Sequence, residues 1–372
     1  LCLGVFVVVH FHQAKWIIAM IEIDGSYGEG GGQVLRTALT LSALTRQPTH
    51  IRRIRAGRRS PGLAPQHLTG VLALARICAA EVHQAAIGST EIVFEPHTAP
   101  YAGTYVFDVA QAAQSGSAGA VSLILQTLLL PLALAEGTSH VTLKGGTHVP
   151  WSPPFEYLAH VYLPTAARMG LKAKCRLEGW GFYPVGGGQV AAEIEGSSSA
   201  ALTPLALVER GRLKRIWGLA TACNLPAHIA QRMADRARNM LGQAGLPAQI
   251  TPRRESGVGP GAALCLVAEY EGGLAGFSAL GAKGKPSEQV ADEACQELKA
   301  FHASNAPVDA HLADQLLLPM ALAAGRSEFR TQRVTRHLLT NAAIIRQFIP
   351  ARIEVGGQEG EPGEVVVEGV GR

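Results

Sequence analysis

Ten residues of this chain occur twice. The run Leu128-Leu129-Leu130-Pro131-Leu132-Ala133-Leu134-Ala135-Glu136-Gly137 returns as Leu316-Leu317-Leu318-Pro319-Met320-Ala321-Leu322-Ala323-Ala324-Gly325, displaced by 188 positions and altered at two of them. A fainter echo ties Gly57, Pro61 and Pro65 to Gly146, Pro150 and Pro154 at a displacement of 89. Such self-similarity means one supersecondary unit used repeatedly, because each copy needs its neighbours to cover its apolar face. The larger displacement exceeds the smaller by 99 residues, so a segment of small-domain size stands between the second copy and the third.

The pattern within a copy sets the fold class. In the first copy, residues 34–44 carry apolar side chains at helical spacing, 51–55 alternate like a strand, and 68–80 are again helical. The extra segment alternates in its own way, with strands expected over 213–222 and 263–269 and helices over 226–244 and 286–301. The expected class is α/β (α+β): three repeated strand/helix units forming the core, with a smaller α/β sandwich domain inserted between repeats 2 and 3. Repeats one and two are assigned to 20–203, the insert to 204–303, and repeat three with the tail to 304–372. The Ser/Ala/Pro-rich stretch 196–204 leads in and 303–307 leads out. Equivalent turns then belong at one end of the molecule, which gathers Arg58 and Arg59, Thr147 and His148, and Arg336 and His337 around a shared cleft.

The most pointed local feature is the turn Gly28-Glu29-Gly30-Gly31-Gly32-Gln33. It opens a zone, Gly30 to Ala80, holding eight arginines (36, 46, 52, 53, 55, 58, 59 and 76) and no Asp or Glu. A glycine turn exposes backbone N–H groups and arginine forks match phosphate oxygens, so together they describe a site for several phosphates. A dinucleotide fingerprint would want glycine where Gln33 stands and an acid downstream, and a P-loop would end in Gly-Lys-Ser/Thr. Neither fits. Glu29, the acid of the turn itself, suits either an ion pair with an arginine or a divalent cation accompanying a triphosphate.

Among thirteen histidines, His337 stands out because Val334-Thr335-Arg336 leads directly into the helical run 338–348. A helix N-terminus holds a histidine toward its neutral, nucleophilic form and attracts phosphate to the same place. His311 and Asp314, three apart on a helix, are a weaker candidate pair for metal. Net charge is +4, too small for a surface that coats duplex nucleic acid, so a local anion site is the better inference. The six cysteines (2, 78, 175, 223, 265 and 295) include no C-x-x-C pair, which argues against zinc and against a disulfide framework, and points to the reducing cytoplasm. Residues 1–19 begin with a short apolar run that lacks a basic lead-in. They are expected to be a disordered extension outside the fold, with Met20 before the first strand, and no segment is expected to span a membrane.

These passages together resemble the RNA 3′-terminal phosphate cyclase family. The resemblance rests on 23–36 (IDGSYGEGGGQVLR), 54–58 (IRAGR) with 61–63 (PGL) and 66–68 (QHL), 125–127 (LQT), 181–188 (GFYPVGGG), 312–316 (LADQL) and 337–341 (HLLTN), in family order over 20 to about 350. It implies a three-repeat core with an inserted domain and an ATP-dependent reaction. His337 would attack the α-phosphate of ATP to form histidine–AMP. An RNA 3′-phosphate end would take the AMP, and the 2′-OH would close a 2′,3′-cyclic phosphate. It further implies that Glu29 holds Mg²⁺ or Mn²⁺ and that Arg55, Arg58, Gln66 and His67 bind RNA or phosphate. Gln33, Arg36, Gln126, Pro153, His311, Leu312, Ala313, Asp314 and Gln315 would bind the nucleotide. No obligatory protein partner is implied. Two positions depart from the family: His311 replaces a common adenine-stacking Tyr, and Trp180 replaces Arg or His ahead of the Gly-Phe-Tyr-Pro passage. The rivals are a non-catalytic relative acting in ribosome assembly or RNA scaffolding, against which His337 speaks, and an enolpyruvyl transferase, against which the insert and the HLLTN passage speak.

Overall fold

A computed structural model describes residues 20–113, 117–199 and 201–371. The expectation for residues 1–19 therefore lies outside the described residues. The first unit runs β1 (Ile21–Asp24), α1 (Gly32–Thr45), β2 (Thr49–Arg52), α2 (Pro65–Ile77), β3 (Glu81–His83), β4 (Ile92–Glu95). The second runs β5 (Thr104–Asp108), α3 (Val109–Ala113), α4 (Val121–Ala133), β6 (Gly137–Gly145), then α5 (Phe155–Tyr157), a wider π-type turn at Leu158–Tyr162, α6 (Leu163–Ala167), β7 (Lys172–Gly179) and β8 (Gly188–Gly196).

The third unit is split. Its first strand, β9 (Ala206–Leu207), is followed by the insert: β10 (Leu213–Cys223), α7 (Ala227–Gln243), β11 (Ala248–Glu255), β12 (Gly261–Tyr270), β13 (Leu274–Leu280) and α8 (Ser287–Ser304). The unit then resumes with α9 (Ala310–Leu322), β14 (Ala324–Thr331), α10 (Arg336–Phe348), β15 (Arg352–Gly356) and β16 (Gly363–Val370). Because β9 pairs in parallel with β14, through Ala206 opposite Glu328 and Leu207 opposite Phe329, the third unit begins before the insert and not at residue 304. A two-residue strand leaves no periodicity for a sequence to display.

Each unit builds one four-stranded sheet with the same order, β1-β2-β4-β3, β5-β6-β8-β7 and β9-β14-β16-β15. The first pair is parallel and bridged by a helix, and the rest are antiparallel. The repeated helix explains the repeated sequence. α4 is apolar all round, with twelve of its thirteen residues buried, and α9 is its counterpart; both carry their proline near the C-terminal end, where it ends the run. These helices pack on one another, α1 against α4 and α10 and α9 against α10, in a continuous apolar core that includes Leu35, Leu39, Leu128, Leu129, Leu316 and Leu317.

The insert has a separate core, built from Ile216, Met233, Leu264, Leu298 and Phe301 under α7 and α8. α7 buries Ala230, Met233, Ala234, Ala237 and Leu241, a single stripe at helical spacing flanked by half-buried Ile229 and Met240, and exposes the opposite face. No helix among the described residues is long and apolar enough to cross a membrane.

Candidate functional site: a histidine at a helix start beside an arginine-lined glycine turn

β1 delivers Asp24, whose Oδ1 accepts from Ser26 N (2.9 Å), Ser26 Oγ (2.7 Å) and Arg53 Nε (3.0 Å), and so closes the turn into α1. Two glycines there answer to specific neighbours. Gly28 has φ +62, and a Cβ would collide with Thr340 Oγ1, so its absence lets α10 come close. At Gly32 a Cβ would collide with His67 Nε2 and crowd Arg36 Nη1, so the first turn of α1 stays open toward those two groups. No side chain caps α1 and no acid sits in its first turn. The partial positive charge of that terminus faces a basic neighbourhood.

The arginine zone is more selective than its count. β1 lies parallel to β2, and its acids reach across: Glu22 accepts from Arg52 Nη2 (2.8 Å) and Asp24 pairs with Arg53, while Glu29 of the following turn pairs with Arg58. The expectation of arginines without answering acids is corrected by that pairing, which a count starting at Gly30 cannot see. Arg76 lies 5.6 Å from the Tyr105 ring centre. Of the eight, Arg36, Arg55 and Arg58 group around His67 and the glycine turn, Arg58 held there by Glu29. Arg55 donates to Gly62 O (2.7 Å), and burial lowers the pKa of Arg36 while Asp314 and Glu29 raise it. A guanidinium there stays charged.

His67 sits among them, 6 % exposed. Its Nδ1 accepts from Ala64 N (3.2 Å), so the neutral ring carries its hydrogen on Nε2, facing Gly32. Burial, then Arg36, Arg55 and Arg58, push its pKa down to about 3. It is thus a neutral N–H donor beside three fixed cations. The sign of its contribution follows: between pH 6.5 and about 3 the unfolded chain binds a proton that the folded chain refuses, so stability falls as pH falls through that window. The slope approaches about 1.4 kcal/mol per pH unit. His67→Gln is expected to flatten this acid limb in thermal melts across the same window. Gln66 has a different place, accepting from Ala120 N (3.0 Å) and tying the start of α2 to that of α4.

His337 stands in the first turn of α10, whose Thr335 cap accepts from Leu338 N (3.1 Å). Its side chain is 48 % exposed. Nδ1 lies 2.7 Å from Gln33 Oε1, while Gln33 Nε2 donates to Asp314 Oδ2 (2.7 Å). With its amide given to the carboxylate, Gln33 can only accept from the ring, so Nδ1 bears the proton and Nε2 bears the lone pair. Burial raises the Asp314 pKa, and the His337 ring and Gln33 oppose that rise. Glu29 Oε1 approaches Nδ1 at 3.6 Å.

Two further residues hold this geometry. Thr340 Oγ1 donates to Arg336 O (2.7 Å) and accepts from Glu29 N (3.3 Å). Asn341 accepts from Thr37 Oγ1 (2.6 Å) and donates to Asp314 O (2.8 Å). They lie three and four residues after His337, one helix face, and that spacing is the signal that could have assigned them roles in the sequence.

The expected nucleotide-side residues gather on α9 and its neighbours. Gln126 Nε2 donates to Gln315 Oε1 (2.6 Å), and Gln315 Nε2 donates to His311 O (2.8 Å). The exposed His311 ring meets Tyr157 edge-on at 6.5 Å, and half-buried Pro153 lies on the loop leading to α5, which carries Tyr157. Leu312 and Ala313 are 1 % and 0 % exposed, so their side chains belong to the core. His311 does not pair with Asp314, which is engaged by Gln33.

Thr147 and His148 do not face this cleft. His148 is buried, stacks on Trp180 (4.8 Å) and Phe182 (5.0 Å), and lies 2.7 Å from Glu156 Oε2, to which Cys265 Sγ also donates at 3.5 Å. Burial opposes ionisation of Glu156, but His148 holds its pKa below the usual value. The repeat analogy fails because nine residues separate β6 from α5 but only four separate β14 from α10, which moves the turn residues off register. His148, Glu156 and Cys265 are the one three-donor group close enough to hold a metal among the described residues, and each donor is already engaged by another. Glu29 differs. Its side chain is 7 % exposed and Oε1 is buried without a hydrogen-bond partner, which fits a cation ligand.

The arrangement sets a half-exposed histidine at a helix start beside a glycine turn lined by arginines. The chain belongs to the RNA 3′-terminal phosphate cyclase family, whose model matches residues 27–355. An RNA 3′-terminal phosphate cyclase of Trichormus variabilis is 55 % identical over 340 residues, covering 91 % of this chain and 97 % of the relative. One of Methylococcus capsulatus is 50 % identical over 352 residues (95 % and 97 %), and one of Desulfurococcus amylolyticus is 41 % identical over 362 residues (95 % and 99 %). Among solved structures, the enolpyruvyl transferase NikO of Streptomyces tendae aligns over 95 % of this chain and 48 % of its own at 13 % identity, with a TM-score of 0.40. A likeness of that size carries no argument.

Proposed function

We propose that the protein converts an RNA 3′-terminal phosphate to a 2′,3′-cyclic phosphate at the expense of ATP. The observation that carries this reading is the His337 ring, with Nδ1–H fixed on Gln33 and the Nε2 lone pair free at a helix N-terminus. Nε2 attacks the α-phosphorus of ATP; the N–P bond forms as the bridging P–O bond breaks, and pyrophosphate leaves. The phosphoramidate is labile. An oxygen of the RNA 3′-phosphate attacks the same phosphorus, the N–P bond breaks and its electrons return to Nε2. The terminal 2′-OH then attacks the activated 3′-phosphorus, loses its proton, and expels AMP.

Arg36, Arg55, Arg58 and the open first turn of α1 hold the phosphates while charge shifts between them. The neutral His67 N–H adds a donor there without adding charge. Glu29, with its unpartnered oxygen, would hold Mg²⁺ or Mn²⁺, which neutralises the triphosphate when bound. Gln126, Pro153, His311 and Gln315 would receive the nucleoside, with an imidazole in the stacking role. Five described cysteines, none of them in a disulfide, suit a reducing cytoplasm.

The test is a 3′-phosphorylated oligoribonucleotide incubated with ATP and Mg²⁺. Its terminus should become resistant to phosphatase, and a substrate ending in 2′-deoxy should stall as the adenylylated strand. A terminus that stays phosphatase-sensitive would remove the reading and favour a non-catalytic RNA scaffold.

A further inference from the structure

The passage 181–188 carries three consecutive glycines, and each is packed closely against protein. A Cβ at Gly187 would come within 2.7 Å of Val258, one at Gly259 within 2.8 Å of Val185, and one at Gly186 within 2.5 Å of Ser117 O. Core and insert interdigitate here through bare backbone. The turn that results displays Tyr183 at 65 % exposure, Val185 at 42 % and, across the seam, Val258 at 67 %. The neighbouring loop is zipped to it, since His148 N donates to Gly181 O (3.0 Å) and its ring stacks on Phe182. Three residues on, Trp151 is 99 % exposed with φ +65, in a turn held by Ser152 Oγ donating to Val149 O (3.0 Å). A non-glycine residue in that conformation is strained, and a bare indole is unfavourable in water.

This face is continuous with the phosphate site. Gly119 lies against Gln66, Ala120 N donates to Gln66, and the adjoining Ser117 and Ala118 meet Gly186. Gln66, next to His67 in the chain, is thus linked through residues 117–120 to the turn that carries Tyr183. On the insert side, Arg253 and Arg254 at the end of β11 are exposed, five and four residues before Val258. Aromatic faces beside a basic edge are the elements of a single-strand track, in which bases stack and phosphates are attracted without sequence preference.

We infer that Tyr183 and Trp151 stack the nucleotides on the 5′ side of the RNA end, so that the seam between core and insert is the channel for the acceptor strand. This rests on the cyclase reading for its substrate, but its test does not need turnover. Wild type, Tyr183→Ala and Trp151→Ala would be compared for binding of a fluorescent 3′-phosphorylated octaribonucleotide by anisotropy, and for KM with octamer and dinucleotide substrates. Each substitution is expected to weaken octamer binding about tenfold. Dinucleotide KM, kcat and RNA-independent transfer of AMP to the protein should stay unchanged. Octamer binding equal to wild type in both variants, or a wild-type KM independent of strand length, would overturn the track. A change in self-association on removing Trp151, with RNA binding intact, would assign the face to a second copy and overturn it too. Octamer binding lost in the variants with no cyclisation by wild type would keep the track and remove the reaction.

Discussion

His337→Ala should carry no radiolabel after incubation with α-³²P ATP and Mg²⁺, whereas wild type should carry label that acid releases and alkali does not. The stability pattern matters as much as the presence of label. Glu29 and Asp314 both lie near the ring, and a carboxylate would form an acyl phosphate, which alkali cleaves; a phosphoramidate survives alkali and fails in acid. Loss of the nucleophile should lower turnover by on the order of 10⁴ or more, the scale seen when a covalent catalyst is deleted. Stability should hardly move, because the side chain is 48 % exposed and Gln33 keeps its bond to Asp314. A sharper arm uses RNA adenylylated beforehand. The last step, attack of the 2′-OH, needs the phosphate site but not the imidazole, so the variant should close that substrate at near wild-type rate. Failure of the variant there, in a folded preparation, would place His337 in the phosphate site and not at the bond-making step.

The features legible in the sequence share a cause. α4 and α9 are surrounded by core on every side, so almost every residue is apolar and the copies stayed alike enough to betray the repeat. The place of His337 at a helix start was legible because the cap and the helical run that follow from it are local. What escaped depends on which strand lies beside which. The acids of β1 reach Arg52 at the end of β2 and Arg53 just after it only because those strands are parallel neighbours, so counting charges along the chain overstated the free cations. Thr147 and His148 were placed by an offset that aligns helices, but the loops between strand and helix differ in length, and His148 went to the seam with the insert. The glycines at 186 and 187 invite a phosphate reading from composition, yet what they accommodate is Val258 and the backbone of Ser117 and Ala118. A glycine marks where something approaches closely, and only the fold says whether that something is ligand or protein.

Gln33→Leu is expected to slow the transfer of AMP to His337 by about a hundredfold while leaving ATP affinity within a few-fold of wild type. Nothing else in the described structure fixes the imidazole tautomer as directly. Without the carbonyl at 2.7 Å the ring can place its proton on Nε2, and the atom that should attack then lacks its lone pair. The leucine also strands the Asp314 carboxylate, so a rate loss alone would not separate positioning from local collapse. Gln33→Glu does. Its carboxyl would stand where the amide donates to Asp314 at 2.7 Å, and two carboxylates so close share one proton. While that proton is held, the new side chain donates to Asp314 and still accepts from Nδ1–H, imitating glutamine. As pH rises the proton leaves, the two charges repel, and the contact that orients the ring is disturbed. The variant should therefore work best on the acid side and lose AMP transfer as pH rises through the pair's shared titration, where wild type does not. Single-turnover labelling across pH reads this directly. A glutamate variant whose pH profile overlays wild type, or a leucine variant that labels at the wild-type rate, would show that Gln33 is a packing neighbour and that something other than this bond selects the nucleophilic nitrogen.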